Sequence, residues 1–118
     1  MKASYVYKVC SRQELQAAQQ SGSYRGSSAD VRDGFVHLSL AEQLPGTLAK
    51  HFAEQRDLVL LKVDAAALGG QLRYEVSRGG ALFPHLYGAL PLAAVCAVQQ
   101  LPDDATERLS ATQGLVNA

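Results

Sequence analysis

The sequence predicts an α+β fold, and three observations predict it. Short alternating or continuously apolar stretches recur at 4–10, 34–39, 58–63, 71–76 and 95–101, while only two substantial helical patterns appear, one at 11–20 and one after Ser39. The connection between Val63 and the stretch ending at Val76 is too short for a usual right-handed crossover helix, which permits an antiparallel pairing of these two strands. At 118 residues and 47% hydrophobic content, the chain is large enough for one core without disulfides or a structural metal. The expected organisation is about five or six strands with two main helices in a single domain over residues 1–101, followed by a polar C-terminal tail over 102–118.

Residues 4–10, Ser-Tyr-Val-Tyr-Lys-Val-Cys, are rich in aromatic and β-branched types and read as the first strand, with Tyr5, Tyr7 and Val9 on one face and Lys8 on the other. Ser11 with Glu14 forms a capping box, Gln13 to Gln20 are good helix formers, and Gly22 suits a left-handed C-cap. Leu15 and Ala18 give this helix one narrow inward stripe. Ser21 to Asp33 is dominated by Ser, Gly, Asp and Arg and reads as a loop, in which Tyr24 and Arg25 are either solvated or placed to stack on and pair with an anionic ligand.

Gly34 to Ser39 joins a strand pattern, a titratable group and a helix start. Alternation puts Val36 and Leu38 on one face and Phe35, His37 and Ser39 on the other, so the imidazole is displayed away from the aliphatic pair. Ser39 with Glu42 suggests a second capping box, and Leu44, Leu48 and Phe52 give a buried stripe for a helix running to about Glu54. Pro45 either kinks that helix or marks its true first turn after a 3₁₀ turn. His51 reads as a structural residue near the helix end.

Leu58 to Val63 is the most continuously apolar run and reads as a central strand; Asp64 to Gly69 is one capped turn. Leu72, Tyr74 and Val76 alternate with Arg73 and Glu75 in an amphipathic strand. Ser77 to Gly80, carrying Arg78, reads as a turn or mobile lid. If the following segment is extended, Phe83, His85 and Tyr87 share one side. Val95 to Leu101 is the last strand, and the tail beyond Pro102 is expected to add one helical turn or none.

Eleven basic and eleven acidic residues give zero formal net charge, which argues against nucleic acid or an anionic membrane as partner and leaves only local basic patches. No run nears the roughly 18 apolar residues of a spanning helix, and Met1 to Cys10 has neither an apolar stretch nor a cleavage site, so a cytoplasmic protein is expected. Cys10 and Cys96 read as reduced residues on strands, and their spacing fits no metal motif.

His37, Glu75 and His85 can converge at strand ends, and three chemistries use such a set: a two-histidine, one-carboxylate metal site, acid–base or nucleophilic catalysis, and the anchoring of a nucleotide. No ligand spacing supports the metal site, and no nucleophile elbow supports acyl transfer. For a nucleotide, imidazole and tyrosine bond ribose hydroxyls or stack on a ring while Arg25 or Arg78 pairs with phosphate; without a glycine-rich phosphate loop, strands and side chains must hold it.

Tyr5 to Val9, the Gly34-Phe35-Val36-His37-Leu38-Ser39 stretch with Ala41-Glu42-Gln43, Leu58 to Val63, and Phe83-Pro84-His85-Leu86-Tyr87-Gly88, in this order, resemble the bacterial domain-of-unknown-function family 952 over residues 5 to about 101. The resemblance implies an ADP-ribosyltransferase-like fold, with a split, curved antiparallel sheet whose cleft takes a dinucleotide, usually NAD. The Val36-His37-Leu38-Ser39 run is similar to the matching run of the RNA 2′-phosphotransferases, which implies that His37 faces the nicotinamide ribose. Lys8 stands where those enzymes carry a histidine; a lysine donates to a ribose oxygen but cannot accept. The expected site has His37, Glu75 and His85 as the catalytic set and Lys8, Tyr24, Arg25, Ser39, Arg78 and Tyr87 around NAD, in a small ADP-ribosyl-transferring enzyme. The alternative is a non-catalytic module binding a small anionic metabolite or a partner protein.

Overall fold

In the computed structural model, which describes residues 3–118, the chain's longest apolar run becomes the strand on which the rest is assembled. Strand β1 (Tyr5–Ser11), helix α1 (Arg12–Ser21), strand β2 (Ser23–Tyr24), helix α2 (Ser28–Asp33) and strand β3 (Val36–His37) come first. Helix α3 (Leu44–His51), strands β4 (Leu58–Asp64), β5 (Leu72–Val76), β6 (Leu82–Leu86), β7 (Leu90–Pro91) and β8 (Val95–Gln100), and helix α4 (Ala105–Val116) complete the fold. The result is α+β with antiparallel sheets. Strand β4 lies between β1 and β8, β2 pairs with β7, and β6 lies between β3 and β5.

Burial on both faces explains the composition of β4. Val59, Leu61 and Val63 join Val6, Cys10, Leu15 and Tyr24 in one apolar cluster, and Leu58 and Leu60 join Tyr7, Val9, Leu44 and Leu48 in a second. Helix α1 forms as its capping residues dictate: Ser11 Oγ accepts from the Glu14 amide at 3.0 Å, Glu14 Oε1 accepts from the Ser11 amide at 2.9 Å, and Gly22 closes the helix at φ 90°.

Several expectations are corrected. The extra strands β2 and β7 are two-residue pairings, too short to show an alternation. Strands β4 and β5 do not pair; the 3₁₀ segment Ala65–Gln71 carries the chain off the first sheet, and β5 pairs with β6. Helix formation does not begin at Ser39, whose backbone pairs with Tyr7 in both directions at 2.9 Å. A 3₁₀ turn, Ala41–Gln43, precedes α3, and Pro45 sits in the first turn of that helix, where its missing N–H costs nothing. The stretch read as a loop holds α2, capped by Ser27 with Asp30 and closed by Gly34 at φ 84°.

The tail is also more than one turn. Helix α4 buries Leu115 in the second cluster, and Arg108, 3% exposed, donates to the carbonyls of Pro102, Phe52 and Gln55 at 3.0 Å each. One guanidinium thus joins two carbonyls just past the end of α3 to one just before α4, and this docks a helix with few buried apolar residues of its own. Among the described residues, no helix is long and apolar enough to cross a membrane.

Candidate functional site

The segment from Val36 to Ser39 crosses from one sheet to another: Val36 and His37 pair with Leu86 and His85 of β6, and Ser39 pairs with Tyr7 of β1. His37 and His85 are therefore direct cross-strand neighbours, and their side chains project to the same face. Their ring centroids are 5.7 Å apart, edge to face. Phe35 packs against both, at 4.5 Å from His37 and 4.0 Å from His85, so neither ring is free to swing.

Each imidazole is held at Nδ1 by a carboxylate. Asp30 Oδ1 lies 2.6 Å from His37 Nδ1, and Glu75 Oε1 lies 2.8 Å from His85 Nδ1. An ionised carboxylate only accepts, so the proton in each bond belongs to Nδ1; His37 Nε2 also faces a carboxylate, Asp33, to which it donates only when the ring carries both protons. Tyr87 donates its hydroxyl to the same Glu75 oxygen at 2.7 Å. These two bonds, from Tyr87 and then His85, hold Glu75 below the usual carboxylate range, and the carboxylate in turn pushes the Tyr87 hydroxyl up.

Asp30 is the most heavily committed side chain in the region. At 2% exposure it accepts from Lys8 Nζ at 2.8 Å, from the His37 amide at 3.1 Å and from the Ser27 amide at 3.0 Å, besides the His37 ring. Burial alone would raise its carboxyl, but the His37 bond and the Lys8 charge outweigh burial and hold it far below the ordinary value. Lys8 also donates to the His37 carbonyl, 3.0 Å away. Towards solvent, His37 Nε2 lies 3.1 Å from Asp33 Oδ2, and Asp33 is itself paired with Arg32 at 3.1 Å.

Of these groups, Lys8, Asp30, Arg32, Asp33, His37 and His85 line a cavity of about 800 Å³, together with Ser39, Thr47, Lys50, His51, Arg78 and Phe83. Arg78 stacks on Phe83 at 4.9 Å, and its Nη2 reaches Thr47 Oγ1 at 3.4 Å. Gly46 lies opposite that guanidinium, where a Cβ would approach Nη2 to 3.3 Å. Ser39 Oγ and Thr47 Oγ1 share a hydrogen bond at 2.8 Å. Partial burial and the nearby charges of Arg78, His37 and Lys50 lower the His51 imidazole below its ordinary value. His51 also lies in the cavity wall. No group of three His, Cys, Asp or Glu among the described residues is arranged to hold a metal.

Of the residues singled out in the sequence, His37 and His85 stand in the cavity, with Glu75 and Tyr87 tied to His85; Ser39 and Arg78 line the wall. Lys8 reaches the cavity floor but is already spent on Asp30. Tyr24 and Arg25 are elsewhere: they border a separate hollow of about 210 Å³ beside Glu14, with Tyr24 buried under α1. Asp30, Asp33, Thr47 and Lys50 were not anticipated. The spacing from Ser27 to Asp30 is itself a capping box and is the signal for Asp30; the Ser- and Gly-rich composition around it reads as loop.

The profile of the family described as "Protein of unknown function (DUF952)" matches residues 9–98. No curated protein matches the chain. The crystal structure of protein CC0527 from Caulobacter crescentus is similar over 86% of this chain and 89% of its own, with 48% identity and a TM-score of 0.82. The solution structure of CC0527 is similar over 98% of this chain and 100% of its own, with 43% identity and a TM-score of 0.81. The chain belongs to the DUF952 family.

Proposed function

We propose that this DUF952 protein binds an anionic nucleotide, with NAD the foremost candidate, in the cavity around His37. The observation that supports this best is the charge balance of the wall. Lys8 is neutralised by Asp30 and Arg32 by Asp33, while Glu14 is occupied in the cap of α1. Arg78 and Lys50 remain, two cations without a carboxylate partner in the cavity, beside imidazoles and hydroxyls suited to ribose. The volume also fits, since small-molecule sites span roughly 300–1,000 Å³. In this reading Arg78 pairs with the pyrophosphate and His37 orients the nicotinamide ribose. ADP-ribosyl transfer is the reaction that an ADP-ribosyltransferase-like fold implies for such a ligand.

One observation favours a second reading, a non-catalytic module for a small anionic metabolite: Lys8 is buried and gives two of its three donors to Asp30 and a backbone carbonyl, so its charge is neutralised and at most one donor is left for a ribose. A thermal-shift titration with NAD, ADP-ribose and nicotinamide separates the two. Ligand at about 100 times its dissociation constant stabilises by roughly 2.7 kcal/mol, so a rise in Tm with NAD or ADP-ribose that is lost in Arg78→Ala is the expected result. No shift with any of the three contradicts the NAD reading and leaves the metabolite-binding module.

A further inference from the structure

We infer that the cavity hydrolyses a phosphodiester of the nucleotide class by general acid–base catalysis between the Nε2 atoms of His37 and His85, a step that rests on the anionic-nucleotide reading above. The two imidazoles are register partners on neighbouring strands, 5.7 Å between centroids, each with Nδ1 bonded to its own carboxylate and both braced by Phe35. Two rings with Nδ1 held by carboxylates, side by side in one cavity, make a proton acceptor and a proton donor when one is neutral with an Nε2 lone pair and the other is an imidazolium with protons on both nitrogens. Each needs only to reach about 3 Å, one to an attacking oxygen and the other to a leaving oxygen on the same phosphorus.

A covalent route is not built here. Ser39 Oγ is bonded to Thr47 and to no ring nitrogen. Cys10, whose thiol is pushed up to about 12 first by burial and then by Glu14, does not line the cavity. Water is therefore the nucleophile. As its oxygen forms a bond to phosphorus, one Nε2 lone pair takes a water proton. The bond from phosphorus to the leaving ribose oxygen breaks, and the other ring, which enters the step as an imidazolium, gives its Nε2 proton to that oxygen and keeps the one on Nδ1. Phosphodiester and water become phosphomonoester and alcohol, with one proton passed between the two rings and no change in oxidation state. Arg78 and Lys50 bind the non-bridging oxygens, and the incoming phosphate takes the place of the Asp33 carboxylate at the mouth, where the exposed Arg32 pair and the contact with His37 Nε2 hold it. Glu75 is a positioning residue that keeps His85 in its tautomer.

The test is hydrolysis of 2′,3′-cyclic AMP by the full chain, followed chromatographically beside a thermal-shift titration with the same compound and ADP-ribose. Adenosine monophosphate is the expected product, with kcat falling about 100-fold or more in His37→Gln and in His85→Gln. Because His85 is buried and its variant can fail to fold, Glu75→Gln is measured too; kcat should fall while KM stays unchanged. A thermal shift without product in the wild type overturns hydrolysis and leaves the binding reading standing. Neither shift nor product overturns both. Product formation undiminished in the folded single variants overturns the assignment to these two rings.

Discussion

The two carboxylate–imidazole pairs that meet in the cavity are alike in geometry and opposite in setting. Asp30 with His37 is anchored from beneath: the carboxylate is 2% exposed, is neutralised by Lys8 and ties β1, α2 and β3 together. Glu75 with His85 is anchored from outside: the carboxylate is 38% exposed in its side chain while the ring it holds is 5% exposed. In one pair the acid is buried and the imidazole reaches solvent; in the other the imidazole is buried and the acid reaches solvent. A carboxylate deprived of water must be repaid by charge and hydrogen bonds, so Asp30 is structural as well as orienting, whereas Glu75 can orient without holding the fold.

Asp30→Asn should give the largest effect. It leaves Lys8 buried without a counter-charge, and breaking a buried pair from one side costs about 3–5 kcal/mol, read as a large loss in chemical denaturation. Adding Lys8→Met to Asp30→Asn should recover much of that loss. If the single variant is nearly as stable as the wild type, the contrast between the pairs collapses.

Acid titration sharpens the same contrast. The folded Asp30 carboxyl is held below its unfolded value of about 3.9, so its stabilisation is present above that pH and is lost as pH falls through it toward the folded value. Tm of the wild type should drop steeply below about pH 4, and the Lys8→Met/Asp30→Asn double variant should show a shallower acid limb. Equal limbs would contradict the role given to Asp30.

The sequence carries the display of His37 and the shared side of Phe83, His85 and Tyr87, because alternation along a strand survives whatever the partner strand is. It carries α1 for the same local reason, a complete cap at each end. What it hides is set by distant partners. Lys8 looks like a solvent-facing residue of an alternating strand until Asp30, 22 positions away, is brought beneath it. Helix α4 looks polar because the group that docks it is Arg108, whose three carbonyl partners lie outside the helix. Tyr24 reads as a loop aromatic, and only its pairing with Leu90 shows that it is core.

Smaller effects follow for the exposed pair. Glu75→Gln should leave Tm within a few degrees of the wild type, since the carboxylate lies in water and the ring beneath it is packed by Phe35. A cooperative loss of structure would show that Glu75, too, is holding the fold. His37→Ala should change Tm least, because Asp30 keeps Lys8 and two backbone amides, yet it should remove the response to NAD or ADP-ribose.

The central claim is that both rings carry their proton on Nδ1 and turn Nε2 to the ligand. Long-range proton–nitrogen correlation NMR reads this directly, because the chain has three histidines and His51→Gln removes the one outside the pair. At alkaline pH, where an imidazole is neutral, two rings with Nδ1–H are expected, and addition of ADP-ribose should move both Nε2 resonances. A neutral ring that carries its proton on Nε2 instead of Nδ1 at that pH, or Nε2 signals that stay in place when ADP-ribose binds, would contradict the account.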